Sequence, residues 1–143
     1  FIKDYEKFMP TMYNNDGHKT IGYGTRIDYH PELINQRLTK IRASKILDGD
    51  LANKVTRHIY NYVNIPLNQN QFDALVIFTF NVGVSAFQNS TLARLVNASD
   101  FAKASDEFPK WCKIHTKQGM FVELRGLKNR RLAEQELFNK EDV

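Results

Sequence analysis

The sequence predicts an α+β fold, predominantly helical, with a small hairpin lobe near its start, a long helix, and a helical lobe that holds most of the core. Three observations carry this. The block "MYNNDGHKTIGYG" (12–24) concentrates turn-forming and strand-forming residues in one place. Apolar residues recur at helical spacing from Ala43 to Tyr62. "NQFDALVIFTFNVG" (70–83) is apolar nearly all round, as a central buried helix is.

The chain has 143 residues, which suits one compact domain with a core of its own. Hydrophobic residues make up 42%, including 10 Phe, so the composition is globular rather than disordered. No run of about 18 apolar residues occurs, which predicts no membrane span. The single cysteine, Cys112, excludes an intrachain disulfide and reads as a packed small hydrophobe beside Trp111. The net charge of +4 points to anionic partners such as acidic wall polymer, or simply to a solvated surface. The chain opens on Phe1 with no signal-peptide pattern before a cleavage site, which fits a trimmed or processed form.

The elements follow in order. Phe1, Tyr5 and Phe8 share one side of a first helix, which Pro10 should end by disfavouring helical geometry at Met9. Glu6 sits at the edge of that apolar stripe, where desolvation favours a protonated carboxyl. Asp16-Gly17 is a two-residue hairpin signal. Closed there, Asn15 faces His18 and Tyr13 faces Thr20, and alternation puts all four on one face. Gly22 and Gly24 leave room for close approach by a neighbour or a ligand.

Thr39 is the N-cap of a long helix with Ala43, Leu47, Leu51, Val55, Ile59 and Tyr62 in step, and Gly49 allows a bend. Pro66 closes this segment. Asn81 and Gly83 form the C-terminal exit of the buried helix, and Asn81 reads either as a cap or as a cleft-lining residue. Asn89 or Ser90, then Ser99 or Asp100, cap two short helices. "CKIHTKQGMFVEL" reads as a surface loop or short ribbon. The last helix, "GLKNRRLAEQELF", should bury Leu127, Leu132, Ala133 and Leu137, with Arg130, Arg131 and Glu134 on its polar side.

Chemistry is constrained by what is missing. The four histidines are scattered and no CxxC or HExxH occurs, so no metal and no cofactor is expected. "GYG" lacks the Lys and spacing of a phosphate loop, and no nucleophile elbow supports a Ser-His-Asp triad. An acid on a helix facing a polar hairpin is a different matter. Glycoside hydrolysis needs one protonated carboxyl for the leaving oxygen and a second group to activate water or take the sugar.

Glu6, "MYNNDGHKTIGYGT", "FDALVIFTFNVG", "AFQNSTLARLVNASDFAKASDEFPKW" and "GLKNRRLAEQELF", in that order, resemble the phage-type lysozymes, the muramidase endolysins of glycoside hydrolase family 24. The resemblance implies hydrolysis of the β-1,4 bond between N-acetylmuramic acid and N-acetylglucosamine in peptidoglycan. It also implies a two-lobed fold, with a small lobe over about 11–38, a linking helix over about 39–62, and a helical lobe over about 68–143 joined by the N-terminal helix. A cleft between the lobes would hold the glycan. An expected monomer would be made in the host bacterial cytoplasm and act on the cell wall, without nucleic acid and without stable membrane insertion.

Residue by residue, the family pattern Glu-x8-Asp-x5-Thr assigns Glu6 as general acid and Thr20 as a holder of the attacking water. The interval to Thr20 is one residue shorter here, and counting from Glu6 lands on Asn15 rather than on a carboxylate. Strand pairing favours Asn15 on the Thr20 face. Water activation favours Asp16, which a one-residue bulge would turn to that face. Asp16 is taken as the second catalytic residue. Lys7 stands where the family usually has Gly. The resemblance implies inversion of the anomeric centre. Tyr23, Asn81 and Gly83 are expected to line the sugar site, and Arg130 and Arg131 to pair with core acids or to meet the anionic wall. The alternatives are a lytic transglycosylase using Glu6 alone and a wall-binding protein of the same fold with weakened catalysis.

Overall fold

A computed structural model describes residues 1–15, 18–115, 121–123 and 125–141. Its contacts divide the chain into two units, Phe1–Lys54 and Val55–Val143.

The first unit holds helix α1 (Ile2–Tyr5), strands β1 (Met9–Asn15), β2 (His18–Gly22) and β3 (Thr25–Arg26), two 3-10 turns, and helix α2 (Lys40–Asp50). The division thus groups α1 with the strands. α1 is shorter than its apolar spacing predicts, and the chain is already extended at Glu6 (φ −94°, ψ 100°). Met9 and Pro10 begin β1 instead of ending a helix. β1 lies at the edge of the antiparallel β1-β2-β3 sheet, where a missing N–H is tolerated. Pro10 still contributes, because its carbonyl accepts from the Leu38 N–H at 2.8 Å.

The hairpin register is Asn15↔His18, Asn14↔Lys19 and Tyr13↔Thr20, as the turn signal predicts. An irregularity falls between Met9 and Tyr13, upstream of that ladder. β2 feeds a cluster of Ile21, Ile27, Leu33, Leu38 and Ala43, with Phe8, Met12, Tyr23 and Ile46 packed against it. Gly22 lets the strand lie directly on α2, since a Cβ there would stand 3.0 Å from the Ala43 Cβ. Thr39 caps α2, its hydroxyl accepting from the Arg42 N–H. At the other end Asp50 is buried, and its carboxylate lies 2.7 Å from Nε2 of His30.

The helical run continues through a π-helical turn, Leu51–Thr56, into α3 (Arg57–Tyr62). The expected departure from α geometry therefore comes just after Gly49. Ala43 and Leu47 before the turn and Val55 and Ile59 after it are buried.

The second unit carries α4 (Gln69–Val82), α5 (Val84–Gln88), α6 (Thr91–Asn97), α7 (Phe101–Ser105), the ribbon β4 (Lys113–His115) with β5 (Phe121–Glu123), and α8 (Arg125–Asn139). Asn68 opens α4 with a reciprocal capping box to Gln71. Ser90 and Asp100 cap α6 and α7. Phe78, Phe87, Phe108 and Phe138 are fully or nearly fully buried. The rings of Trp111, Phe78, Phe108 and Phe138 follow one another in edge-on and tilted contacts, at 5.3–5.5 Å between centroids. Cys112 is buried and free, as a packing residue should be.

The α8 assignment is overturned. Arg130, Arg131 and Glu134 are its buried side, while Leu132 is 43% exposed and Leu127, Ala133 and Leu137 are only partly buried. The reason is pairing. Arg131 Nε lies 2.6 Å from Glu134 Oε1, and its Nη2 donates to Oε2 at 3.0 Å. The same guanidinium lies over the Phe78 ring at 5.1 Å. A forked, stacked and neutralised Arg–Glu pair can enter a core where either charge alone could not. The pairing of these arginines with a core acid is therefore observed.

Two outcomes follow from this cluster. Glu134→Ala takes the carboxylate from a buried guanidinium and should cost about 3–5 kcal/mol in urea unfolding. Burial pushes the Glu134 carboxyl up from 4.5 to about 7, against the pull of Arg131 and Arg130. The folded chain then holds a proton that the unfolded chain releases, so this contribution to stability is complete below pH 4.5 and lost as pH rises through about 7. Unfolding measured across that range should show the decline, and Glu134→Gln should flatten it.

Candidate active site

Glu6 stands one residue beyond α1. Its N–H donates to the Ile2 carbonyl at 2.7 Å, and Ile2 is buried, so the backbone at Glu6 is tied to an anchored turn. Phe1 and Tyr5 stack at 4.9 Å on this turn. Lys3 ties the same turn to α2 by donating to the Ser44 hydroxyl, and its ammonium lies 5.2 Å from the centre of the Tyr23 ring. Glu6 itself is only 8% exposed. Lys7 is exposed.

The carboxyl of Glu6 meets the turn between β2 and β3. Gly24 has φ +79°, and a Cβ built there would lie 2.9 Å from Glu6 Cδ, 3.0 Å from Oε2 and 3.2 Å from Cγ. The space that Gly22 and Gly24 were expected to leave is thus taken by neighbours, Ala43 for one and Glu6 for the other. Thr20 lies on the central strand, paired with Tyr13 on one side and Arg26 on the other. It is 4% exposed, and its hydroxyl has no hydrogen-bond partner among the described residues. Tyr23 is half-buried, its ring 5.5 Å from that of Phe8 and packed on the core of the unit.

Glu6, Thr20, Tyr23 and Gly24 therefore share the first unit, drawn there by α1, β2 and the turn after β2. Asn15 occupies the register position two along from Tyr13. Asp16, with Gly17, lies outside the described residues. Asn81 and Gly83 belong to the second unit. Asn81 is in the last turn of α4, and Gly83 ends it at φ +100°, its N–H donating to the Thr79 carbonyl at 2.8 Å.

Two features of the first unit had no usable signal in the sequence. One is the Glu6–Gly24 contact, between residues with no shared periodicity. The other is His30, whose Nδ1 lies 3.1 Å from Glu32 and whose Nε2 reaches Asp50, twenty positions on. Hydrogen bonds from its own backbone and from His30 hold the Glu32 carboxyl below its usual value. Arg26 bonds Asp28 at 2.6 Å and lies over the Tyr29 ring, which Lys54 also approaches at 4.9 Å.

The Phage lysozyme family matches residues 3–134 of this chain. An endolysin of Acyrthosiphon pisum secondary endosymbiont phage 1 is 38% identical over 138 residues, covering 96% of this chain and 91% of that protein. An endolysin of Bacillus phage PZA is 37% identical over 141 residues, and here the chain, 96% of it aligned, spans 52% of its relative. Among solved structures, the muramidase domain of SpmX from Asticaccaulis excentricus superposes with a TM-score of 0.84 at 33% identity, covering 98% of this chain and 92% of that one. With a family match across most of its length, and relatives above 30% identity along nearly all of it, the chain belongs to the phage lysozyme family, the peptidoglycan-degrading muramidase endolysins.

Proposed function

We propose that this chain cleaves the β-1,4 bond between N-acetylmuramic acid and N-acetylglucosamine, with Glu6 as the general acid. The observation that carries this is the Glu6 carboxyl, withdrawn from bulk water and packed on the bare Cα of Gly24. A carboxyl so enclosed can deliver its proton to the glycosidic oxygen as the bond breaks, so that the departing sugar leaves as a neutral alcohol.

The positive charge that develops on the other sugar must then be met by water. We assign activation of that water to Asp16, the carboxylate beside the Thr20 ladder in sequence, and its positioning to the buried Thr20 hydroxyl. A buried hydroxyl without a partner among the described residues calls for another acceptor or donor, and a nucleophilic water supplies one. Attack from the face opposite the leaving group inverts the anomeric centre, which requires carboxyls about 6.5–9.5 Å apart, against about 5–5.5 Å for retention. Tyr23, Asn81 and Gly83 are assigned to sugar contacts. The site of action is the bacterial cell wall, and the chain's charge of +4 favours its capture by an acidic polymer.

A second reading has one specific observation behind it. The ladder runs in register to Asn15↔His18, so an amide rather than a carboxylate holds the position across from the Thr20 strand. A lytic transglycosylase needs only Glu6, because the sugar's own hydroxyl attacks. The two differ in product, an anhydro-muramic end for transglycosylation and a reducing end for hydrolysis.

Three measurements test these assignments. Glu6→Gln should slow the clearing of cell-wall suspensions by at least about 100-fold, and clearing equal to the parent would falsify the acid assignment. Asp16→Asn should slow clearing on a similar scale with reducing ends as the parent's product, whereas full activity with anhydro ends supports the Glu6-only mechanism. Wall clearing should also slow as ionic strength rises from about 0.01 to 0.15 M, where the screening length falls from about 30 to 8 Å.

A further inference from the structure

We infer that Gly24 is a positioning residue for the acid, its missing side chain forming the wall that fixes where the Glu6 carboxyl stands. This rests on Glu6 acting as the general acid.

The geometry separates two demands that a glycine can meet. One is conformational, because φ +79° strains any residue with a Cβ. The other is contact. Ordinary carbon–carbon approach is about 3.5–4.0 Å, yet a Cβ on Gly24 would stand 2.9 Å from Cδ and 3.2 Å from Cγ of Glu6. Both carbons are involved as well as Oε2, so turning the carboxyl plane gives no relief. The whole terminal half of the side chain must move.

The surroundings decide what yields. Glu6 is held at its backbone by the Ile2 carbonyl, and the atoms a Gly24 Cβ would meet are the far end of its side chain, the part of the contact that can yield. A Cβ at Gly24 is therefore accommodated by displacing the carboxyl, and the loss appears in catalysis more than in folding. Gly22 is the natural comparison. It lies on the same hairpin at φ +67°, but a Cβ there meets Ala43 at 3.0 Å and Leu38 at 3.4 Å. It carries a similar conformational demand and no contact with the acid.

The test pairs Gly24→Ala with Gly22→Ala on the full chain. Soluble glycan oligomers give kcat and KM, and ¹³C-labelled glutamate gives the Glu6 carboxyl titration, assigned by its disappearance in Glu6→Gln. Gly24→Ala should lose about 10- to 100-fold in kcat, the scale of a misplaced catalytic group, with KM within about two-fold of the parent, and its Glu6 titration should shift. Gly22→Ala should melt lower but keep kcat within about two-fold and leave the Glu6 titration unchanged. Gly24→Asn and Gly22→Asn repeat the comparison with a residue that tolerates positive φ.

The inference is overturned if folded Gly24 variants keep the parent kcat and Glu6 titration, or if the Gly22 variants lose as much kcat. It is also overturned if neither Gly24 variant folds while both Gly22 variants do, since the backbone rather than the acid would then be absorbing the contact. An inactive Glu6→Gln beside fully active Gly24 variants removes this inference alone. A fully active Glu6→Gln removes the acid assignment, and this inference with it.

Discussion

The end of α1 and the turn after β2 close on a single carboxyl. Glu6 is attached through its backbone to one and pressed through its side chain against the other. Neighbouring contacts of the first unit seat its two sides. Burial of Ile2 and the bond from Lys3 to Ser44 seat the helical turn. The three-stranded sheet and its aliphatic cluster seat the glycine turn, because β2 runs straight from Thr20 through the buried Ile21 into it. His30 ties the loop after β3 to the far end of α2. The position of one acid is therefore set by packing on both sides of it.

The second unit shows another way to bury a glutamate. Glu134 is enclosed by two guanidiniums and is fully inaccessible. Its partner Arg131 is also clamped on an aromatic ring, so charge, fork geometry and packing are matched at once. Such a group stabilises a core but has no route by which to pass a proton to a substrate. Glu6 lies with its carboxyl against the backbone of Gly24 in the β2–β3 turn.

Similarity to phage endolysins extends over nearly the whole chain, and so covers both units. It places the chain in a family of glycan-cleaving enzymes without saying which atoms act. The ladder is irregular between Met9 and Tyr13 and regular beyond, where Thr20 pairs with Tyr13 and Asn15 with His18.

What the sequence determined by itself was local. The cap at Thr39, caps at Asn89 or Ser90 and at Ser99 or Asp100, of which Ser90 and Asp100 serve, the hairpin register about Asp16-Gly17, the buried run of α4 and its exit at Gly83 each depend on a few neighbouring residues whose hydrogen bonds and φ preferences are intrinsic. Tertiary structure decided the rest. α1 stopped short because Met9 and Pro10 were claimed by a sheet edge, and α8 presented its arginines inward because Glu134 and the Phe78 ring were there to receive them. The seat of Glu6 on Gly24 and the bridge from His30 to Asp50 belong to the same class. For the sheet edge, the Phe78 ring, Gly24 and Asp50 the partner is distant along the chain, and although Glu134 lies on the same helix as its arginines, hydrophobic spacing counts polarity one residue at a time and does not register the pair.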